Sequence, residues 1–285
     1  MSSGATPTAV DVAIVNWNTS EAALAAARAF ASSTGVEARV TVVDNGSEPE
    51  QRGVLERERD RLAGEYGDRV RLRLEQNLGY GTAANRALAG GEAELVCAGN
   101  ADVLPEPGAL AELAATAERE PDAGMVGPVF GGDADRYHAR LPGGAALLGR
   151  IFAGSFLRGA VAPPAPGETT EVEQPSGACF LVRRRTWERV GGFDEGFFLW
   201  YEDVDLAKRL RDAGFRNVVV GAARVEHAGA RSFAQLDAPT QQAIRLDSLH
   251  RYIGKHHRAL VPLAAPLLAL SRGIRARGAK PPNSP

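Results

Sequence analysis

Short apolar runs alternate with alanine-rich or charged stretches through the first half of the chain. Val10 to Val15 is an apolar run ending at Asn16-Trp17-Asn18-Thr19-Ser20, and an alanine-rich segment follows from Glu21 to Ser32. The run has the length of a buried parallel strand, and Ser20 or Thr19 would cap the helix after it. The pattern then repeats. Val40 to Val43 ends at Asp44-Asn45-Gly46-Ser47, with a charged helix over about Pro49 to Tyr66. Val70 to Leu74 ends at Glu75-Gln76-Asn77, with a short helix over about Thr82 to Ala89. Leu95 to Ala98 ends at Gly99-Asn100-Ala101-Asp102, a helix covers about Pro107 to Arg119, and Met125 to Phe130 makes a fifth strand. Strands alternating with helices predict βαβ units and an α/β fold with a mostly parallel, twisted sheet. Ligands of such sheets bind beyond the carboxyl ends of the strands. Asn16, Trp17, Asn18, Asp44, Asn77 and Asp102 lie at those ends and form a polar rim.

Beyond Phe130 the pattern weakens. Gly131 to Gln174 is rich in Gly, Pro and Ala, and a loop of that length is usually mobile or functional. Pro175 to Val182 returns as a strand, Val218 to Val220 and Arg224 to His227 are short strands, and Ala238 to His257 is a helix. The tail from Arg258 combines leucines with Arg272, Arg275, Arg277 and Lys280. A membrane surface, or packing against the domain or a partner subunit, accounts for such a tail.

Composition narrows this picture only a little. At 285 residues, 44% apolar and 24% charged, the chain suits one large or two small globular domains. A net charge of -2 gives no reason to expect nucleic acid. Cys97 and Cys179 sit in apolar runs and read as buried small hydrophobes. The start has no basic region leading into an apolar one, and no window reaches a membrane span. A cytoplasmic protein is expected.

The strongest chemical signal is Val190 to Leu206, where Gly-Gly-Phe-Asp-Glu-Gly and Phe-Phe-Leu-Trp-Tyr run into Glu202, Asp203 and Asp205. Carboxylates crowded beside an apolar wall have their pKa raised, which a general base needs. Acids placed at a helix start by the dipole are the plain alternative. Gly79-Tyr80-Gly81-Thr82-Ala83-Ala84 fits a dinucleotide fingerprint, which would make the chain an NAD-dependent oxidoreductase. However, it follows the third strand, and the first strand's turn has no glycine. The rim suits a nucleotide diphosphate better. Asp44 can accept from a pyrimidine imide and Trp17 can stack on the base. Asp102, near Asn100, can hold Mg²⁺ or Mn²⁺ across diphosphate oxygens. Turn formation by Asp44-Asn45-Gly46-Ser47 and helix capping by Asn100 or Asp102 are the plain readings.

Taken together, Val43 to Ser47, Asn77-Leu78-Gly79-Tyr80-Gly81 with Asn85, Asn100-Ala101-Asp102, Gly177 to Arg183, Gly191 to Phe198 and Glu202 to Leu206 resemble, in order, the motifs of the family 2 glycosyltransferases. The closest likeness is to the rhamnosyltransferase-like branch. The resemblance implies a GT-A fold over about residues 1–235, a nucleotide-sugar-binding half at about 8–130, an acceptor half at about 175–235, and a C-terminal helical extension over 236–285. It implies an inverting enzyme with a nucleotide-sugar donor, dTDP-rhamnose as the first choice, and a divalent cation, Mg²⁺ or Mn²⁺. The acceptor would be a glycan, a lipid-linked sugar or a small natural product. Asp203 becomes the base and Glu202 an orienting group, while Asp205 is read as a helix cap. Asn16, Trp17, Asn18, Asp44, Asn77, Tyr80, Gly81, Asn85 and Asn100 would bind the nucleotide sugar, and Asp102 and His227 the metal. His227 also reads as a strand-end structural residue. An inactive sugar-nucleotide-binding module and a homo-oligomer stay open, as does peripheral membrane contact through the tail.

Overall fold

Val10, Val12 and Ile14 point to one face of the first strand and Ala13 and Val15 to the other, and all five are buried. A strand apolar on both sides has to be covered on both sides, and the computed structural model shows that it is. It describes residues 7–131, 140–153, 162–227 and 235–278. In chain order the elements are β1 (Thr8–Asn16), α1 (Ser20–Ala31), β2 (Val36–Asn45), α2 (Pro49–Tyr66), β3 (Val70–Glu75), α3 (Tyr80–Leu88), β4 (Leu95–Asn100), β5 (Val103–Pro105), α4 (Ala109–Arg119) and β6 (Ala123–Phe130). There follow α5 (Gly144–Ala153), β7 (Thr169–Val172), β8 (Cys179–Arg183), α6 (Arg184–Val190), α7 (Glu202–Asp212), β9 (Arg216–His227), α8 (Ala238–His256) and α9 (Val261–Gly278).

The strand order is β3-β2-β1-β4-β8-β6-β9-β5, with β7 paired to β9. Strands β1 to β4 are parallel, as the alternation predicts. The chain runs outward from β1 to β3 and then crosses back to place β4 on β1's other side. That reversal creates a crevice where Val15 pairs with Asn100.

The second half departs from the pattern. The strand at Ala123–Phe130 does not join β4; β8 lies between them, antiparallel to both. Two short strands expected near 218 and 224 are one strand, β9. Its register against β6 shifts between Pro128 and Val129, which hid its continuity. The weakly periodic segment contains α5 and β7, and the rest of it lies partly outside the described residues.

Helices α1, α2 and α4 cover one face, through Leu24, Leu55, Leu62 and Leu110. Helices α3, α6 and α7 cover the other, through Leu88, Trp187, Leu206 and Leu210. A third cluster joins α5, α8 and α9 to the start of α7, with Leu147, Ile151, Tyr201, Leu249 and Tyr252 buried together. Cys97 and Cys179 are buried and free. No helix among the described residues is long and apolar enough to cross a membrane.

Candidate active site

The carboxyl ends of β1, β2 and β4 open onto a cavity of about 320 Å³, within the usual range for ligand sites. Trp17, Asn45, Asn77, Tyr80, Asn100 and Asp102 line it, facing Phe198 and Leu199. Leu236, Thr240 and Ile244, at the N-terminal end of α8, complete the wall.

Several predicted rim residues lie beneath this wall rather than in it. Asn16 is fully buried, and its Nδ2 donates to Asp44 Oδ1 at 3.0 Å and to the hydroxyls of Ser20 and Ser47, each at 3.2 Å. Its Oδ1 accepts from the backbone and hydroxyl of Thr19, so Asn16 organises the turn. Thr19 itself makes no side-chain cap, and Ser20 Oγ donates instead to the Gln51 carbonyl. Asn18 adopts φ 55 and accepts from Glu48 N, clamping the β1–α1 turn to the start of α2. Asp44 has no exposed surface; its Oδ2 accepts from Ser47 N at 3.3 Å and Arg52 Nε at 3.4 Å. Those two bonds are long for charge-assisted ones, and Asp44 lies beneath the cavity wall rather than in it.

The β3–α3 loop is fixed to the same frame. Asn45 donates to Asn77 and accepts from Leu78 N. Gly79 has φ 91, and a Cβ there would come within 2.4 Å of the Phe198 carbonyl oxygen. Only glycine meets both demands, and the next amide, Tyr80 N, donates to that same oxygen at 3.0 Å. Gly81 packs against Phe193. The fingerprint glycines therefore serve close approach of the 193–198 loop.

Asp102 and His227 come together because β5 pairs with β9, setting Val103 opposite His227. His227 Nε2 is 3.2 Å from Asp102 Oδ1, and both side chains are largely buried. One carboxylate oxygen and one imidazole nitrogen form a donor pair that Mn²⁺ accepts. Such an ion leaves its other positions to water and phosphate oxygens. Among the described residues no three His, Cys, Asp or Glu side chains could hold a metal together.

The acidic turn is strained. Trp200 and Tyr201 both lie in the left-handed region, at φ 65 and 68, where bulky residues are seldom found. Strain of this kind persists where the surroundings enforce it. Here Ser248 Oγ donates to Leu199 O, and the Tyr201 ring packs 5.5 Å from that of Tyr252. The turn releases the chain into α7 with Glu202 and Asp203 in its first turn.

Glu202 is 7% exposed, and its Oε2 has no hydrogen-bond partner among the described residues. Burial, and then the neighbouring Asp203 charge, push its pKa up to about 8. The Tyr80 hydroxyl is also buried without a partner. Burial first and the Glu202 charge second raise its pKa well above the ordinary value.

Asp203 is half-buried and differently placed. Its Oδ2 accepts from Gln174 Nε2 at 2.9 Å and its Oδ1 from Val204 N at 2.9 Å, so both oxygens are engaged as acceptors. Gly177 makes room for it: a Cβ at 177 would sit 2.6 Å from Asp203 Oδ2. Ala178 O accepts from Asn100 N at 2.8 Å, so the same segment joins the donor rim to the acidic turn.

This arrangement gives a pH test. An unfolded Glu202 titrates near the ordinary glutamate value of 4.5 and the folded one near 8. Between those values the folded state holds a proton that the unfolded state has lost. Stability therefore falls with rising pH, by up to about 1.4 kcal/mol per unit. Glu202→Gln is expected to remove this slope, gaining on wild type between pH 5 and pH 8. Thermal melts of both proteins across that range check it, and parallel curves would refute it.

Two motif residues do other work. Asn85 does not reach the cavity. Its Nδ2 donates to Phe193 O and Glu195 Oε1, and its Oδ1 accepts from Phe193 N, so it splints the 191–198 loop. Asp205 is not a cap. It is fully buried one turn into α7, with Arg209, Lys255 and His256 each 2.7 Å away. Arg209 also donates to the carbonyls of Val190 and Gly192, and Lys255 also pairs with Asp194. Gln174 and the α8 wall had no marker in the sequence. Gln174 closes a featureless Gly/Pro-rich stretch, and Leu236, Thr240 and Ile244 read as ordinary positions near the start of a helix.

Known proteins share this fold. An L-rhamnosyltransferase of Mycobacterium tuberculosis, named for N-acetylglucosaminyl-diphospho-decaprenol, is 34% identical over 210 residues, 64% of this chain. The chain matches 65% of that relative's length. The structure of GalNAc-T7 with UDP, GalNAc and Mn²⁺ superposes with a TM-score of 0.65 at 16% identity, over 86% of this chain and 47% of that one. A mannosyltransferase of Pyrobaculum calidifontis, in complex with GDP-Man and Mn²⁺, superposes with a TM-score of 0.60 at 19% identity, over 97% and 77% of the two chains. The fold is accordingly GT-A. The family described as "Glycosyltransferase like family 2" matches residues 7–243, and the chain belongs to that family.

Proposed function

We propose that the protein is an inverting glycosyltransferase moving rhamnose from dTDP-rhamnose to a hydroxyl of a polyprenyl-diphosphate-linked sugar. One observation carries this reading: the Ser176-Gly177-Ala178 segment touches both Asn100 and Asp203, joining the diphosphate rim to the carboxylate that would deprotonate the acceptor. The mycobacterial relative supports the sugar and the type of acceptor.

In this reading Trp17 stacks on the base, and Asp44 Oδ2 exchanges Arg52 for the imide N–H. Asn45, Asn77 and Tyr80 line the donor's path, and Asn100 and Asp102 lie at the diphosphate. Asp102 and His227 would hold a divalent cation, which when bound neutralises charge growing on the leaving diphosphate. Asp203, fixed by Gln174, takes the acceptor proton while the hydroxyl attacks the face opposite the leaving group. Glu202, protonated below about pH 8, has a proton to donate and orients the sugar or acceptor rather than acting as base. Leu199, Phe198 and Ile244 keep the cavity apolar and limit transfer to water.

The test is transfer from dTDP-rhamnose, together with melting shifts for dTDP-, UDP- and GDP-sugars and NAD(H). EDTA is expected to abolish the dTDP shift and the transfer, and Mn²⁺ to restore both. A response to NAD(H) alone would overturn the reading in favour of an oxidoreductase. Donor binding without turnover for any acceptor would leave a sugar-nucleotide-binding module.

The acceptor's lipid also gives α9 a role. Pro262, Leu263, Ala265, Pro266, Ala269 and Leu270 are all exposed, and no charged residue interrupts the helix from Val261 to Ser271. With Arg272, Arg275 and Arg277 following in sequence, this face suits the surface of an anionic bilayer. The protein is expected to float with phosphatidylglycerol vesicles at low salt and less so at high salt. No flotation at either salt would remove the membrane from the reading.

A further inference from the structure

Arg150 is a buried cation with no counter-ion among the described residues. It lies in the last turn of α5 and is 4% exposed, on the same helix face as the fully buried Leu147 and Ile151. Its Nε is sealed and makes no hydrogen bond, and its side chain has no ion pair among the described residues. The carboxylates nearest in role are taken: Asp194 by Arg251 and Lys255, and Asp205 by Arg209, Lys255 and His256. Arg245 does not compensate it, since Arg245 is a cation that donates to Arg150's carbonyl. A buried guanidinium left this way costs stability unless something anionic completes it.

Its surroundings are suited to an oxyanion. The Tyr252 hydroxyl, in the same cluster, is also buried, has no hydrogen-bond partner among the described residues and is an available O–H donor. Burial first and the Asp205 charge second oppose ionisation of that phenol, and the Arg150 charge acts in the opposite sense, so the hydroxyl lies within electrostatic reach of both Arg150 and an Asp205 carboxylate already held by three cations. Tyr252 packs on Tyr201, the residue directly before Glu202 and Asp203. Arg150 thus belongs to the helical layer behind the acidic turn, whereas Asp102 and His227 belong to the β5–β9 edge. A group bound at Arg150 would accompany the molecule whose hydroxyl meets Asp203. The guanidinium fork matches phosphate oxygens in pairs.

We propose that Arg150 and the Tyr252 hydroxyl form an oxyanion site between α5 and α8 that takes the phosphate or diphosphate group of the acceptor. This rests on the transferase reading, and it adds the acceptor's anchor to it.

The experiment is a calorimetric titration of inorganic pyrophosphate into the full-length protein saturated with dTDP and Mn²⁺, which fill the donor side. Wild type is expected to bind, Arg150→Met to bind at least about tenfold more weakly, and Tyr252→Phe to fall between them. Arg150→Met is expected to melt no lower than wild type, because it removes a charge that no described residue neutralises. Equal binding by Arg150→Met, no binding by wild type, or a clear loss of stability in Arg150→Met would each overturn the site, the last by showing a structural arginine. Farnesyl diphosphate is expected to compete with pyrophosphate; failure to compete would make the site one for a free ion and overturn the acceptor assignment. Asp203→Asn separates the two levels. If it keeps transfer activity, the transferase assignment of Asp203 falls, while pyrophosphate binding at Arg150 is read independently.

Discussion

Asp203→Asn is expected to lower turnover by about 10²–10⁴-fold, the range a positioned general base contributes, while donor affinity stays near that of wild type. The geometry separates the two quantities. Asp203 meets Gln174 and Val204 N and lies against Gly177, while the cavity wall is built from the strand ends, Phe198, Leu199 and the start of α8. Asparagine has nearly the same shape, so Val204 N keeps an acceptor and α7 keeps its first turn. What is lost is the ability to take a proton from the acceptor hydroxyl.

Steady-state transfer together with dTDP-rhamnose binding by calorimetry checks this. Turnover within tenfold of wild type would remove Asp203 as the base. Glu202 would not then inherit the role at neutral pH, because burial keeps it protonated up to about pH 8. The two adjacent acids differ because Gln174 serves one and nothing serves the Oε2 of the other. Adjacent carboxyl groups in unlike surroundings are a common basis for dividing labour in active sites.

The first half of the fold was legible because its physics is local. An apolar run such as Val10 to Val15, followed by a polar turn and an alanine-rich stretch, has few alternatives to a buried strand and a covering helix. The places of Asp102 and Trp17 followed from that topology, since a parallel sheet puts strand ends on one edge. The second half depended on pairings distant in sequence. Nothing near Cys179 says that β8 will run antiparallel between β4 and β6, and no local period marks the kinked strand β9. The acidic stretch was conspicuous, but its internal division was not. Asp205 looked like a cap because it stands at a helix start, and only the arrival of Lys255 and His256 from α8 makes it a buried hub. Asn85 and Asn16 looked like ligand contacts because asparagine suits both roles; their amides are used within the protein. Gln174, Leu236 and Ile244 could not have been found, because their role comes from where the chain returns.

Asp205→Asn is expected to cost about 3 kcal/mol of stability, the scale for removing one partner of a buried ion pair, or roughly 5–10 °C in melting temperature for a protein of this size. The neutral amide fits the space but leaves Arg209, His256 and one contact of Lys255 without their counter-charge. Lys255 keeps Asp194 and Arg209 keeps the Val190 and Gly192 carbonyls, which holds the loss to the lower end of the range. The pH dependence identifies the cause. Burial disfavours the Asp205 carboxylate, but the His256 hydrogen bond, the Arg209 charge and the Lys255 hydrogen bond outweigh it and hold its pKa below the ordinary aspartate value of 3.8. A group whose folded pKa is depressed contributes stability that is present above its unfolded pKa and is lost as pH falls through the folded one. Wild type and Asp205→Asn are therefore expected to differ fully at pH 7 and to converge below about pH 4. Urea melts at pH 7 and through a series of pH values below 4 measure this. A gap that persists unchanged in acid would mean that shape and packing, rather than the charged hub between α7 and α8, hold the acidic turn in place.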